Sequence, residues 1–161
     1  MVWCMSIKAQ ALSFDFLIAS SIFLLAVGVI YIYWVYSNIQ IEETQRITDM
    51  IDRTYLASQF WFREGTPPFW DSTNIIDLGL QNNHRFNRTK MNIMDTNLGY
   101  EETKSLIGLG GYEYSFTIYN STNDTVFNFG QIPNNPENLV KIKRVGILDG
   151  SLVNLEIMVW G

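Results

Sequence analysis

The chain has 161 residues, which is enough for one domain of ordinary size, and a net charge of −5 from 11 basic and 16 acidic residues. An acidic chain without a basic patch is poorly suited to nucleic acid, so we expect no nucleic-acid partner. Cys4 is the only cysteine, which excludes a disulfide within the chain. With a single histidine as well, the chain does not have the ligands for a structural zinc site.

An uncharged stretch near the N-terminus runs from Phe16 to Ile41. Within it, residues 16–36 are apolar apart from Ser20, Ser21 and the tyrosines near the end. As a helix, this segment would be about 30 Å long, which matches the hydrocarbon core of a bilayer. A buried helix of that length in a soluble protein would show a polar stripe, and this segment has none. The pattern therefore predicts a membrane-spanning helix.

The flanking charges predict how this helix is oriented. Lys8 and the amino group precede it, whereas Glu42 and Glu43 follow it, so the positive-inside rule leaves the N-terminus in the cytoplasm and exports the rest. An aromatic cluster fits the outer membrane interface: Tyr31, Tyr33, Trp34 and Tyr36. A cleaved secretory signal peptide is the alternative, but its apolar core would be shorter and a small-residue cleavage site would follow it.

A second helical pattern follows the apolar stretch. Residues 39–61 lack glycine and proline, and apolar side chains recur there at mostly helical spacings: Ile47, Met50, Ile51, Tyr55, Ala57 and Trp61. We expect one helix from about residue 12 to about residue 63, ended by the breakers Gly65-Thr66-Pro67-Pro68. Its amphipathic outer half should lay one face on a globular head. A separate helix after a break at Ser37-Asn38 is the alternative.

The C-terminal third predicts two β-hairpins. Residues 112–120 and 125–130 are rich in aromatic and β-branched residues and flank a polar turn. Residues 139–160 hold two alternating runs around Asp149-Gly150, which is a strong hairpin signal. The alternation slips at Arg144-Val145, where we expect a bulge.

The middle of the chain is irregular and polar. We expect a short strand ending at Leu78 and short helices within residues 87–98 and 99–107. Together these elements predict an α+β fold, in which a long N-terminal helix, half transmembrane and half amphipathic, packs on a small head with a four-stranded antiparallel β-sheet.

Residues that could carry enzymatic chemistry are sparse. His84 stands among asparagines, as expected of a loop residue, and Gly108-Leu109-Gly110-Gly111 lacks the spacing of a dinucleotide or phosphate-binding loop. We therefore expect no enzyme, no catalytic residue, no metal and no cofactor.

Three sequons lie in the part of the chain that we expect to be exported. Their acceptors, possible sites of N-glycosylation, are Asn87, Asn120 and Asn123. They are consistent with a surface location, although sequons are common by chance in a chain this rich in asparagine and threonine.

A carboxylate, Asp15, stands at the start of the apolar stretch. A charge at the centre of a membrane helix costs about 2.5–3.5 kcal/mol on insertion scales, and less at the edge. Asp15 is therefore either a solvated interfacial residue near the positive end of the helix dipole, or a residue that pairs with a cation in an assembly.

The leader Lys8-Ala9-Gln10, followed by Asp15 and a long apolar helix, resembles the class III signal peptide of archaeal type IV pilins. Two other segments are similar to archaeal pilin-like proteins: EGTPPFW…IIDLGL…NHRFNRTKM (64–91) and the closing hairpin. The resemblance implies cleavage by a prepilin peptidase on the cytoplasmic side, at a site formed by Lys8, Ala9, Gln10 and Ala11. The spacing departs from the pattern, since Asp15 is the sixth mature residue after a cut at Ala9 and the fifth after a cut at Gln10.

The resemblance implies a division of the chain into four parts. Residues 1–9 would be a cytoplasmic leader, residues 10–36 the transmembrane and assembly helix, residues 37–64 an amphipathic helix continuing into the head, and residues 65–161 the extracellular head. The implied function is that of a minor pilin or pilin-like structural subunit of an archaeal type IV pilus-type surface filament.

The partners implied by the resemblance are other pilin subunits, the prepilin peptidase, the pilus assembly platform and membrane lipid. In such a filament, Asp15 would pair with the N-terminal amine of a neighbouring subunit. The alternative function is that of a single-pass, membrane-anchored extracellular binding protein that does not assemble.

Overall fold

The computed structural model describes the backbone of residues 4–161 and the side chains of residues 14–161. The chain divides between Gln45 and Arg46 into two compact units. The N-terminal unit is helical throughout its described residues. The globular unit, Arg46–Gly161, contains the end of the same helix and all other elements.

The elements follow one another as three helices and six strands: α1 (Cys4–Phe60), β1 (Gln81–Asn82), β2 (Arg85–Phe86), α2 (Arg88–Asn97), α3 (Tyr100–Leu106), β3 (Glu113–Tyr119), β4 (Thr125–Gly130), β5 (Leu139–Leu148) and β6 (Ser151–Trp160). An α+β fold with a long apolar helix is thereby confirmed. The α1 helix is assigned without a break across Ser37-Asn38, and it ends at Phe60, slightly earlier than expected.

The strands form one sheet in the order β1-β2-β5-β6-β3-β4. The two long hairpins lie where the alternation predicts them, and Asp149 and Gly150 take positive φ angles of 52° and 81° in the β5–β6 turn. The sheet is mixed rather than purely antiparallel, because β2 pairs in parallel with β5 through Phe86 and Leu148. The short strands β1 and β2 extend the expected four strands to six.

The predicted bulge at Arg144-Val145 is wrong. The β5–β6 register runs through Arg144 opposite Leu155 and Val145 opposite Asn154 without a shift. The Arg144 guanidinium lies 5.5 Å from the ring centre of Tyr55 and 5.3 Å from that of Phe62. Arg144 therefore holds a core-facing position through cation–π contacts, and the alternation continues.

The end of α1 within the globular unit packs one face on the sheet. Met50, Ala57 and Trp61 are buried as predicted, whereas Ile51 and Tyr55 remain about half exposed. The buried face of this helix also includes Thr54 and Ser58, both fully buried. Their hydroxyls donate to Met50 O and Tyr55 O at 2.6 Å, so burial leaves them hydrogen-bonded.

The connection after α1 folds tightly around Gly65, Gly79 and Trp70. The Trp70 indole is buried and donates to Gly79 O at 2.8 Å. A Cβ built at Gly79 would lie 2.5 Å from Arg63 O, so only glycine fits there. Phe69, in contrast, is 83% exposed.

The two short helices lie where they were expected, and a side chain caps the start of α2. Asn87 precedes α2, and its Oδ1 accepts from Thr89 N and Lys90 N at 2.8 and 3.3 Å. The strand expected to end at Leu78 is reduced to an isolated bridge between Thr66 and Asp77, although Leu78 itself is fully buried.

Candidate functional site

The N-terminal unit exposes apolar side chains on all sides of α1. Between Phe14 and Ile41, its exposed large apolar residues retain between 45% and 72% of their accessible surface. No residue of the most apolar 18-residue window of Phe14–Phe60 is buried. By length and composition, this helix could cross a membrane. An apolar surface of this extent needs a cover of lipid or protein, because soluble monomers rarely expose such patches.

Polar side chains in this unit bond back to their own helix. The hydroxyls of Ser20 and Ser21 donate to Leu17 O at 3.0 and 2.7 Å. Asn38 Nδ2 donates to Trp34 O at 3.0 Å. Since each group finds a partner one turn away, these residues add little cost to an apolar environment.

Asp15 lies on α1, one residue after the first described side chain, and is exposed. Among residues 14–161 it has no hydrogen-bond or ion-pair partner. An unpaired carboxylate beside a long apolar surface is costly to cover with lipid or with another helix unless a cation accompanies it. The side chains of the predicted processing residues Lys8, Ala9, Gln10 and Ala11 lie outside the described residues.

The three sequon asparagines differ in how the fold engages them. Asn87 caps α2, as described above. Asn120 Oδ1 accepts from Asp124 N at 2.7 Å, and its Nδ2 donates to Asp124 Oδ2 at 3.1 Å. Asn123 is exposed and has a positive φ of 70°.

A polar cluster joins α3 to β3 at the side of the core. Lys104 Nζ lies 2.7 Å from Glu113 Oε1, and the Tyr100 hydroxyl donates to Glu113 Oε2 at 2.6 Å. Lys104 first, and then the Tyr100 hydrogen bond, hold the pKa of the Glu113 carboxyl below its usual range. Burial, together with the Glu113 hydrogen bond, raises the pKa of Tyr100. These groups satisfy one another, so the cluster stabilises the α3–β3 contact.

Metal-binding geometry is absent from the described side chains. Across residues 14–161, no three His, Cys, Asp or Glu side chains lie together as a metal site would require. His84 occupies the β1–β2 turn, where it and Asn83 take positive φ angles of 61° and 49°.

An open groove of about 400 Å³ lies on the sheet face that points away from the core. Two rows of the register form it: Val145, Asn154 and Tyr119 are neighbours across β5, β6 and β3, and Lys143 and Glu156 are neighbours in the next row. Asn123 borders the groove from the β3–β4 turn, and Arg144 and Leu155 complete its lining. No pattern in the sequence predicts this groove, because its residues come together only through strand pairing.

Comparison with known proteins adds no relative. A scan against models of protein families, a search of curated proteins and a search of solved structures each found no match to this chain.

Proposed function

We propose that this chain is a structural subunit, a minor pilin or pilin-like protein, of an archaeal type IV pilus-type surface filament. The supporting observation is that a helix with apolar side chains exposed on every side leads into a globular unit with its own core. In this proposal a prepilin peptidase removes the cytoplasmic leader, the helix first lies in the membrane, and the globular unit faces the outside of the cell.

The exposed helix surface supports assembly as well as membrane insertion. In lipid, the apolar side chains around α1 contact acyl chains, and in a filament the same side chains contact α1 helices of neighbouring subunits. Both environments keep this surface from water, which is the large favourable contribution in either state. A subunit can therefore move from membrane to filament without exposing its helix.

Asp15 is the charged residue that we propose to pair with a neighbouring subunit. A mature N-terminal ammonium buried among apolar helices would need a counter-charge. Asp15, near the start of the apolar stretch, lacks a partner among the described residues and could provide that charge to an adjacent subunit. Pairing of this kind would also fix the axial register of one helix against the next.

The second candidate is a membrane-anchored extracellular binding protein that does not assemble. Like the pilin subunit, this protein would have the apolar helix and an exported globular unit. Unlike in the pilin subunit, neither Asp15 nor removal of the leader would contribute to its function. The two functions are separated by whether the chain enters a filament. A membrane-tethered enzyme has the least support, since sequence analysis identifies no set of catalytic residues.

The test is replacement of Asp15 in the native cell, followed by immunoblotting of membrane and sheared filament fractions. We expect Asp15→Ala to remain in the membrane at normal levels and to be depleted from filaments, and Asp15→Glu to restore incorporation. Glu43→Ala removes an exposed carboxylate from the same helix beyond the apolar stretch and is the matched control. Normal incorporation of Asp15→Ala would remove the proposed role of Asp15, and absence of the wild-type chain from filaments would favour the second candidate.

A further inference from the structure

We propose that the groove on the outer face of the sheet, between β5, β6 and β3, binds a sugar. The site is formed by Tyr119, Asn123, Lys143, Asn154 and Glu156. This binding activity does not depend on whether the chain assembles into filaments or remains a membrane anchor.

The floor of the groove is polar and rigid. The side chain of Glu156 is only 11% exposed although it lies on the face away from the core, and Lys141 and Lys143 hold its carboxylate at 2.9 and 3.4 Å. A carboxylate buried on an outer sheet face is informative, because that face is ordinarily solvated. Here it places a fixed polar group on a regular strand.

The walls offer both donors and acceptors that the protein leaves unused. Within residues 14–161, the side chains of Tyr119, Asn123 and Asn154 have no hydrogen-bond partner. Each amide can donate and accept at once, and the tyrosine hydroxyl can do the same. This matches a ligand whose own groups donate and accept, such as a row of sugar hydroxyls. Lys141 and Lys143 together neutralise Glu156 and leave one positive charge, so the exposed Lys143 ammonium can still donate to a sugar oxygen.

The remaining surface suits the apolar faces of a sugar ring. Tyr119 presents an aromatic ring with a polar tip, and Val145, on the other side of Asn154 in the same row, is 61% exposed. The volume of about 400 Å³ is within the range of small-molecule sites, roughly 300–1,000 Å³. Since the groove is open, we expect it to take one or two units of a longer glycan.

The experiment is a titration of the full chain in phosphocholine micelles, because a sugar-headed detergent would compete. Glucose, galactose, mannose and N-acetylglucosamine are tested by saturation-transfer NMR, with glycine as the zwitterionic comparison. All variants carry Thr125→Ala, which removes the Asn123 sequon but keeps the Asn123 side chain, so that no attached glycan can fill the groove.

The result is decided by whether a sugar binds and by how substitutions in and outside the groove change its Kd. We expect at least one sugar to bind saturably, and Lys143→Met and Asn154→Ala each to raise its Kd about five-fold, as loss of one hydrogen bond would. Asn134→Ala is the matched control for Asn154→Ala, since Asn134 is an exposed asparagine that does not line the groove, and the Kd should then change less than about two-fold. Binding of none of the sugars, equal binding of glycine, or equal effects of Asn134→Ala and Asn154→Ala would overturn the proposal.

Discussion

Trp61 directly follows α1, and we expect it to contribute most to the contact between this end of the helix and the sheet. It is fully buried, and its ring stacks on Phe116 of β3 at 4.5 Å between ring centres with an angle of 11°. Truncation of a buried tryptophan to alanine costs about 3–5 kcal/mol, and loss of a stacked aromatic pair adds about 0.5–1.5 kcal/mol. Since a domain is stable by only about 5–15 kcal/mol, Trp61→Ala should remove a large part of the stability of the globular unit.

Trp61→Phe is the matched variant. The Trp61 Nε1 is buried and has no hydrogen-bond partner among the described residues. Phenylalanine keeps an aromatic ring against Phe116 and removes the unpaired N–H, whose desolvation costs about 1–3 kcal/mol. We therefore expect Trp61→Phe to change the free energy of unfolding by less than about 1.5 kcal/mol, because the cavity it creates is offset by the removed N–H.

The assay is urea unfolding of the full chain in micelles, with near-ultraviolet circular dichroism for packing, far-ultraviolet circular dichroism for helix content, and hydrogen exchange of the β3 and β6 amides. Trp61→Ala should unfold at a much lower urea concentration, with faster exchange in both strands, while the helical signal of the N-terminal unit persists. A loss of less than about 1 kcal/mol for Trp61→Ala, or an equal loss for Trp61→Phe, would refute the argument.

Two further predictions, with three substitutions, test the globular unit. Gly79→Ala places a Cβ 2.5 Å from Arg63 O and 2.6 Å from the Glu64 carbonyl carbon, so it should lower the free energy of unfolding by about 3 kcal/mol or more. Gly111→Ala is the control, because its Cβ would meet nothing within 4 Å and should cost less than about 0.5 kcal/mol. Equal melting temperatures of the two variants would contradict this. The lowered pKa of Glu113 means that its contribution to stability is present above the usual value of 4.5 and is lost as the pH falls through the folded-state pKa. Glu113→Gln should therefore be less stable than wild type at pH 7 in urea titrations, with the gap closing on acidification, and a constant gap from pH 7 to strong acid would exclude this linkage.

The long hairpins could be predicted from sequence because their signals are local. Alternation in β6 and the turn at Asp149-Gly150 depend on neighbours in the chain, and the structure places both where they were expected. The strands β1 and β2 have two residues each, too few to show a period. They pair with each other locally, and β2 joins the larger sheet only through the distant pair Phe86 and Leu148.

Other features of the globular unit depend on contacts between distant residues. Arg144 interrupts the apolar pattern of β5, yet the Tyr55 and Phe62 rings accept its guanidinium on the core side. Thr54 and Ser58 are polar in sequence but can be buried because their hydroxyls return to α1 carbonyls. The groove needs the register of three strands, and no pattern within one segment shows it. The predicted roles of Asp15 and the processing residues rest on resemblance and remain predictions.

The most direct measurement is mass spectrometry of the N-terminal peptide of the protein isolated from its native membrane. A filament subunit processed by a prepilin peptidase should begin at Gln10 or Ala11, and replacement of Ala9 by a bulky residue should block that maturation. An intact N-terminus that retains Met1 or Cys4 would contradict the proposed function and leave a globular unit on an unprocessed anchor.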